Sequence, residues 1–454
     1  MTDIERIKQR LVENYVAKRR KSQEYYEKAK HYLPGADTRS ATFFEPFPFV
    51  TDSAQGCKIV DLDGNEYYDF MNNYTSLAHG HAFAPVVAAI QEQAAKGTAH
   101  GTNFEAQYEV AKLLCDRVAA LDEVRFANSA SEAVMFAMRA ARAFTGKDGF
   151  LKINGGYNGA TDFTCVNSHV DLEHGDHPQP LTGRGIPACL KQDTYVAPFN
   201  NLTVMEEILK AHNDKIAAII MEPMMGGGGC IMPEDGYLKG VRALADKYNV
   251  LLILDETITL RFSEGGMEKI YDVRPDLFTT GKTIGGGLPV GAFGGRRDIM
   301  EMFNPTRPDS IEHTGTFCGN AITMAAGVAC MRHFTQNEIN RINLLGERLK
   351  SGLNQIFADL GVNGCVQGFG SVMQINNYSA VPARTAEEFA ISKAAGDKPN
   401  GSISDCVHLS MVTKGVMFAR RGMVVLSTAM DDSTVDFALN AFRETYQELR
   451  PLLP

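Results

Sequence analysis

Two hydrophobic patterns divide the chain. In the middle, apolar runs without alternation, such as 216–220 and 249–254, are typical of parallel strands buried on both faces. From about residue 72 to residue 318 these runs alternate with segments in which apolar residues recur at helical spacing. This alternation predicts an α/β fold with a doubly wound, mainly parallel sheet.

The two ends of the chain differ from the middle and predict a smaller α+β part. Residues 1 to about 32 predict one amphipathic helix, and short strands follow that turn at Asp63–Gly64. Further along, helices are predicted from about 320 to 357, and strands near 372–375 and 423–426. Both ends are therefore expected to contribute to a second domain.

A segment near the C-terminal end lacks a clear pattern. Residues 379–403 carry Pro, Gly, Ala and Ser with little periodicity, which predicts a mobile loop. The predicted organisation is an N-terminal helix, loop and strands over 1–71, a large domain over 72–319, and a small α+β domain over 320–454.

Composition limits the classes of partner. A net charge of -9 over 454 residues argues against nucleic acid and anionic membranes, and no long apolar span is present. Nine cysteines without paired spacing indicate reduced thiols and a cytoplasmic protein. His169, His174 and His177 lie in a polar stretch with Gly175 and Pro178 that does not favour helical metal-ligand spacing, so no metal is predicted.

A lysine between glycines is the strongest chemical signal. Lys282 follows an apolar run and Gly281, but the glycine that a phosphate-binding loop requires five residues before Gly281 is absent, since Asp276 stands there. Asp255 ends a buried strand, where ligands bind in open α/β sheets. A lysine that holds an aldehyde and an aspartate that keeps a pyridine nitrogen protonated are what pyridoxal 5′-phosphate (PLP) requires.

A third element fits the phosphate of that cofactor. Residues 124–127 predict a short strand, and a helix follows through about Phe144. Ser129 and Ser131 would then present hydroxyls and backbone amides at a helix N-terminus, which is an anion site.

These motifs together resemble the class III, fold-type I, PLP-dependent aminotransferases, in the branch shared with glutamate-1-semialdehyde aminomutase. The resemblance covers nearly the whole chain, from Leu33 to Ser427, and its motifs keep the order of the family. The motifs are Asp61–Tyr67, Asn128–Ala133, Gly156–Gly159, Met221–Pro223, Asp255–Glu256, Thr280–Lys282 and Gly315–Asn320.

The resemblance implies a role for each matching residue. Lys282 is expected to bind the cofactor covalently and Asp255 to pair with its ring nitrogen. Tyr157 is expected to stack on the ring, and Glu222 to lie near Lys282 and the ring oxygen. The phosphate is expected to be held by Ser129, Ala130 and Ser131, and by Thr316 of a neighbouring subunit, which implies a homodimer with shared active sites.

Four positions depart from the family pattern. Ala130 replaces a glycine, Ser131 a threonine, Asn158 a histidine, and Thr257 a branched aliphatic residue under the ring. None of these changes removes a catalytic group, so we expect them to tune cofactor binding.

Two arginines bear on the substrates. Guanidinium binds carboxylate bidentately, and an aminotransferase acting on two carboxylate substrates commonly needs an arginine for each. Arg39, Tyr74 and Arg421 match a pattern that resembles β-phenylalanine aminotransferases. The resemblance implies that Arg39 binds the carboxylate of an aromatic β-amino acid and that Arg421 binds 2-oxoglutarate.

Two alternatives stay open. D-phenylglycine aminotransferase is almost as similar and has its own Ala-Asp-Thr-Arg loop, as in 36–39 here. Glutamate-1-semialdehyde aminomutase moves nitrogen within one molecule, but its late strand follows a glutamate where this chain has Arg420–Gly422. We therefore expect an enzyme with an external keto-acid acceptor.

Overall fold

A computed structural model of the chain describes residues 3–400 and 403–453. Fourteen strands occur among these residues. In chain order they are β1 (Thr51–Gln55), β2 (Lys58–Asp61), β3 (Glu66–Asp69), β4 (Glu123–Ala127), β5 (Gly149–Ile153), β6 (Thr194–Ala197), β7 (Ile216–Met221), β8 (Leu251–Asp255), β9 (Leu277–Gly281), β10 (Gly291–Gly295), β11 (Cys365–Phe369), β12 (Val372–Asn376), β13 (Val416–Met417) and β14 (Met423–Val425).

Helices lie between the strands and at both ends of the chain. The α-helices are Asp3–Ala17, Arg20–Ala29, Ala84–Lys96, Glu105–Arg117, Ala130–Thr145, Asp162–Cys165, Leu202–His212, Tyr237–Tyr248, Gly266–Tyr271, Arg297–Met300, Ala321–His333, Gln336–Leu360, Ala386–Asn400, Ile403–Thr413 and Asp432–Glu448. Short 3₁₀ turns are Pro34–Ala36, Ser40–Thr42, Ala188–Asp193, Thr259–Phe262, Lys282–Gly285, Glu301–Phe303 and Arg450–Leu452.

The chain forms two compact units. The first unit contains residues 1–83, 341–382 and 392–454, and the second contains 84–340 and 383–391. The predicted domain limits at 71/72 and 319/320 stay a prediction. No helix in the described part of the chain is both long enough and apolar enough to cross a membrane.

The second unit is built on a seven-stranded sheet in the order β4-β10-β9-β8-β7-β5-β6. Only β10 in this sheet runs antiparallel to its neighbours, β4 and β9. Every residue of β7 and β8 is buried, because helices cover both faces of the sheet. Alternating polar residues in these strands would place unpaired polar groups in the core, which explains their unbroken apolar sequence. The predicted α/β fold with a mainly parallel sheet is confirmed.

The first unit contains two small sheets, in the orders β1-β2-β3-β13 and β11-β12-β14. Its core includes Leu11 and Tyr15 from the N-terminal helix and Phe442 and Tyr446 from the C-terminal helix. Segments from both chain ends thus share one hydrophobic core, as the patterns at the two ends predict.

The prediction of one helix over residues 1–32 is wrong, and residues 1 and 2 lie outside the described part. The helix ends at Ala17 and a second begins at Arg20. Between them, the buried Arg19 side chain donates hydrogen bonds to the Tyr67 hydroxyl at 2.8 Å and to the Val412 carbonyl at 3.2 Å. Directing this guanidinium inward breaks the helix.

The predicted mobile loop over 379–403 is also wrong for most of its length. Residues 386–400 form a helix, while residues 401 and 402 lie outside the described part. The segment is rich in Ala, Glu and Lys, and their helix propensity outweighs the Gly and Pro that indicated a loop.

Candidate active site

The helix Ala130–Thr145 begins directly after β4 and offers an anion site. Ser129 caps the helix, since its hydroxyl accepts from Glu132 N at 3.2 Å, and the Glu132 carboxylate accepts from Asn128 N at 2.8 Å. Within the described residues, the backbone N–H groups of Ala130 and Ser131 have no hydrogen-bond acceptor. Free amides at the start of a 16-residue helix are suited to a phosphate.

Glycines bring the two inner strands against this helix start. A Cβ added to Gly291 in β10 would lie 2.0 Å from the Ser129 carbonyl oxygen, and one added to Gly281 in β9 would lie 3.2 Å from the Ala130 Cβ. A Cβ on Gly159 would lie 2.7 Å from the Ser131 Cα. Only residues without side chains allow these approaches, so the phosphate site, β9 and the Tyr157 loop are packed together.

Asp255 ends β8 and is buried. One carboxylate oxygen accepts from the Asn158 side-chain amide at 3.1 Å, and the other accepts from the Thr257 hydroxyl at 2.6 Å and from Thr257 N at 3.2 Å. Two of the four departures from the family pattern therefore bind this aspartate. Their donors fix the carboxylate in place at the sheet edge, which suits it to a protonated ring nitrogen.

Glu222 lies one strand away, immediately after β7, and β7 pairs in parallel with β8. Its carboxylate accepts from Tyr157 N at 3.2 Å and from Gly226 N at 3.1 Å. Burial and then the negative charge of Asp255 raise the pKa of Glu222 to about 7, while the positive charge of Lys282 opposes this shift. Glu222, Asp255 and Lys282 thus interact electrostatically in one buried region.

Lys282 begins the 3₁₀ turn after β9 and has a φ of +50°. This left-handed backbone is strained for a residue with a side chain, and such strain is concentrated at functional sites. The register of β8 and β9 pairs Asp255 with Thr279, three residues before Lys282.

The structure contains a buried lysine that the sequence does not single out. Lys152 in β5 is buried, and burial lowers its pKa to about 7. Its ammonium donates to the carbonyls of Thr164 at 2.5 Å and Val166 at 2.6 Å. Because these contacts tie β5 to the end of the helix Asp162–Cys165, Lys152 is suited to a structural role rather than to covalent chemistry.

Tyr157, the predicted stacking residue, and Thr316, the predicted phosphate ligand from a neighbouring subunit, are both exposed. Tyr157 has 54% of its surface accessible. Thr316 is exposed beside Phe317, which is 57% accessible. Among the described residues, Thr316 makes no hydrogen bond to the segment 129–131.

The three predicted substrate residues lie in the first unit and are brought together there. The Arg39 guanidinium donates to the Asn73 side-chain oxygen at 2.8 Å, and the Arg421 guanidinium carbon lies 5.5 Å from the centre of the Tyr74 ring. Burial raises the pKa of Tyr74, and Arg421, Arg39 and Arg420 oppose this shift. In the part of the chain that the structure describes, no carboxylate forms an ion pair with Arg39 or Arg421.

The donor set of the second unit fits PLP. A buried carboxylate held by three donors, a lysine near it, and a helix N-terminus with free amides are the groups that the cofactor needs. The fold and this site define a PLP enzyme of the α/β class.

Comparison with known proteins agrees with the assignment to a PLP enzyme. The model of the family described as aminotransferase class-III matches residues 40–434, so the chain belongs to the class III aminotransferases, a PLP-dependent family. The chain is 40% identical over 355 residues to glutamate-1-semialdehyde 2,1-aminomutase of Methanobrevibacter smithii, covering 78% of this chain and 82% of that protein.

Two solved structures are also similar. An omega-transaminase from Sphaerobacter thermophilus is 35% identical with a TM-score of 0.89, covering 94% of this chain and 98% of the other. A β-phenylalanine aminotransferase from Variovorax paradoxus is 31% identical with a TM-score of 0.88, covering 99% of both chains. The protein is therefore an enzyme of the aminotransferase type.

The raised pKa of Glu222 gives a testable pH dependence. The folded protein holds this proton up to about pH 7, whereas the unfolded chain releases it near the ordinary value of 4.5. The stabilisation due to protonated Glu222 is thus present below pH 4.5 and is lost as the pH rises towards 7. In cofactor-free protein, Glu222→Gln should therefore lose less unfolding free energy between pH 5 and pH 8 than the wild type does.

Urea unfolding at about four pH values across this range measures the difference between the variant and the wild type. Glu207→Gln, at an exposed position, serves as the control and should follow the wild-type profile. Parallel profiles for Glu222→Gln and the wild type would show that Glu222 does not titrate in this range.

Proposed function

We propose that this enzyme transfers the amino group of a carboxylate-bearing, aromatic β-amino acid to 2-oxoglutarate or a similar keto acid. The observation that carries the proposal is the pair of arginines, Arg39 and Arg421, neither of which has an ion-pair partner in the described part of the chain. A donor and an acceptor that each bring a carboxylate require such guanidinium groups. The expected order is alternate binding of donor and acceptor at one site.

Residues of the second unit hold the cofactor in this proposal. Lys282 carries it covalently, and Asp255 binds the proton of the ring nitrogen. Asn158 and Thr257 hold the Asp255 carboxylate in position. Tyr157 covers a ring face, and Ser129, Ala130 and Ser131 bind the phosphate through hydroxyls and free amides.

The chemistry divides between the cofactor and the chain. Bound PLP supplies an aldehyde that accepts an amino group and a ring that stores an electron pair. Lys282 Nζ would move the proton of the substrate carbon that bears nitrogen. Asp255 would hold the ring nitrogen protonated. Glu222, whose pKa is raised to about 7, is able to hold a proton beside Lys282 at neutral pH.

A second candidate is intramolecular amino transfer of the glutamate-1-semialdehyde aminomutase type. It is favoured by the curated relatives, several of which carry that name at 37 to 40% identity. That substrate has one carboxylate and needs no external acceptor, so it leaves one of the two arginines without a ligand. The proposal of an external acceptor rests on this difference.

We also propose a homodimer, in which Thr316 completes the phosphate site of the neighbouring subunit. The exposure of Thr316 and Phe317 supports this role. A cytoplasmic location is supported by nine cysteines that all remain free thiols.

The function is tested by following glutamate formation from 2-oxoglutarate by the PLP-loaded protein. Both enantiomers of β-phenylalanine and of phenylglycine serve as separate donors. Turnover with β-phenylalanine is expected, and turnover with D-phenylglycine alone would indicate a D-arylglycine aminotransferase. Conversion of glutamate-1-semialdehyde without any keto acid, together with no turnover of the four donors, would establish the aminomutase instead.

The assignment of Arg421 predicts a selective loss. Arg421→Ala should lower kcat/KM for 2-oxoglutarate by roughly 10- to 100-fold, because a charge-assisted hydrogen bond to a carboxylate contributes about 1.5–3 kcal/mol. The kcat/KM for pyruvate, which lacks the second carboxylate, should fall much less. Steady-state kinetics with both acceptors measures the effect.

The neighbouring arginine is a matched control. The Arg420 guanidinium forms an ion pair with the Asp405 carboxylate at 2.7 Å. Arg420→Ala should therefore change kcat/KM for each acceptor by less than about threefold. An equal loss for 2-oxoglutarate and pyruvate in Arg421→Ala would mean that Arg421 binds the carboxylate that both acceptors share.

A further inference from the structure

The segment Asn72–Thr75 forms a left-handed helical turn in the first unit. Its residues have φ values of +46°, +45°, +55° and +75°, and none of them is glycine. The left-handed form is disfavoured for residues with a side chain, least so for asparagine, and it persists only where the surroundings impose it. Four consecutive residues of this kind indicate that surrounding contacts impose the conformation.

The cause lies in buried hydrogen bonds beneath the turn. The Asp69 carboxylate accepts from Met71 N at 2.8 Å and from Asn72 N at 2.9 Å, while its other oxygen contacts His81 Nε2 at 2.7 Å. The Asn72 side-chain amide donates to the Asp69 carbonyl at 3.0 Å and to the Val425 carbonyl at 2.9 Å. These bonds fix the entrance to the turn against β14.

The next residue, Asn73, binds the Arg39 guanidinium. Its side-chain nitrogen donates to Ser76 Oγ at 2.9 Å, so the side-chain oxygen is the atom that faces Arg39 and accepts at 2.8 Å. Ser76 Oγ in turn donates to the Asn73 carbonyl at 3.1 Å. The acceptor for Arg39 is therefore held in one orientation.

Tyr74 binds both arginine segments. Its hydroxyl donates to the carbonyl of Ala41, two residues after Arg39, at 2.5 Å. Its ring lies against the Arg421 guanidinium. The backbone carbonyl of Arg421 accepts from the Gln374 side-chain amide at 2.6 Å. Adjacent residues of a helical turn point in different directions, so Asn73 and Tyr74 are able to hold two different arginines.

We infer that Asn73 is a positioning residue, and that the left-handed turn sets the geometry with which Arg39 and Arg421 present their guanidinium groups to carboxylates. The inference rests on the proposed function, in which these arginines bind the substrate carboxylates. The Arg39 guanidinium is held by the neutral side-chain oxygen of Asn73, while the Asp37 carboxylate interacts with it electrostatically without forming an ion pair. The remaining N–H groups of Arg39 stay available to a carboxylate ligand.

The test uses the PLP-loaded protein and two unreactive acids, 3-phenylpropionate and glutarate, whose dissociation constants are measured by calorimetry. Asn73→Gly keeps the left-handed backbone without strain and removes only the acceptor. It should raise the dissociation constant of 3-phenylpropionate by about tenfold, as expected for the loss of one hydrogen bond to a charged group. The dissociation constant of glutarate should rise by less than about threefold. Asn73→Asp has nearly the same shape but neutralises Arg39, so its loss should be larger.

Two controls make the result decisive. Asn249→Gly alters another left-handed asparagine, with a φ of +51°, at the end of a helix in the second unit, and should leave both dissociation constants unchanged. Arg39→Ala should weaken 3-phenylpropionate at least as much as Asn73→Gly does. Urea unfolding of each variant shows that the fold is retained.

The outcomes separate the two claims. If Arg39→Ala weakens 3-phenylpropionate but Asn73→Gly does not, the positioning role is overturned and the proposed function stands. If Arg39→Ala has no effect, or if the wild type binds neither acid, the assignment of the arginines to carboxylates fails and the positioning role fails with it.

Discussion

The burial of two carboxylates, Asp255 and Glu222, at the ends of adjacent parallel strands is the constraint on which the site depends. Buried carboxylates are stable only with donors or cations around them, and each of these two solves the problem differently. Asp255 receives three hydrogen bonds. Glu222 receives two and has a pKa raised to about 7. Lys282 supplies one positive charge to this region. A cationic ring nitrogen would supply another, which is why the arrangement suits PLP.

Strand order and glycines create this region. Because β7, β8 and β9 are parallel neighbours, Glu222, Asp255 and Lys282 leave the sheet at the same edge. Gly281 and Gly291 then allow β9 and β10 to approach the start of the helix at Ala130. The start of the helix at Ala130 and Lys282 at the end of β9 are thus linked by close backbone approaches, and larger residues at these glycines would separate them.

Much of this architecture follows from local sequence. Unbroken apolar runs identify β7 and β8, and residues just beyond buried strands, such as Asp255, are expected at the ligand-binding edge. What local sequence does not show depends on tertiary contacts. The break at Arg19, the hydrogen bonds of Asn158 and Thr257 to Asp255, and the left-handed turn at Asn73 each require partners far away in the chain. The segment 386–400 contains one Gly and one Pro, which favour a loop in the sequence, yet its Ala, Glu and Lys residues form a helix.

The central claim is that Lys282, beside Asp255 and Glu222, is the amine that holds the cofactor. Lys152 is the physical rival, because it is buried and its pKa is lowered to about 7. Borohydride reduction of the PLP-loaded protein fixes the cofactor to the amine that carries it, and peptide mass spectrometry then locates the added mass. We expect the added mass on Lys282 alone. Added mass on Lys152, or on no lysine of the second unit, would contradict the account.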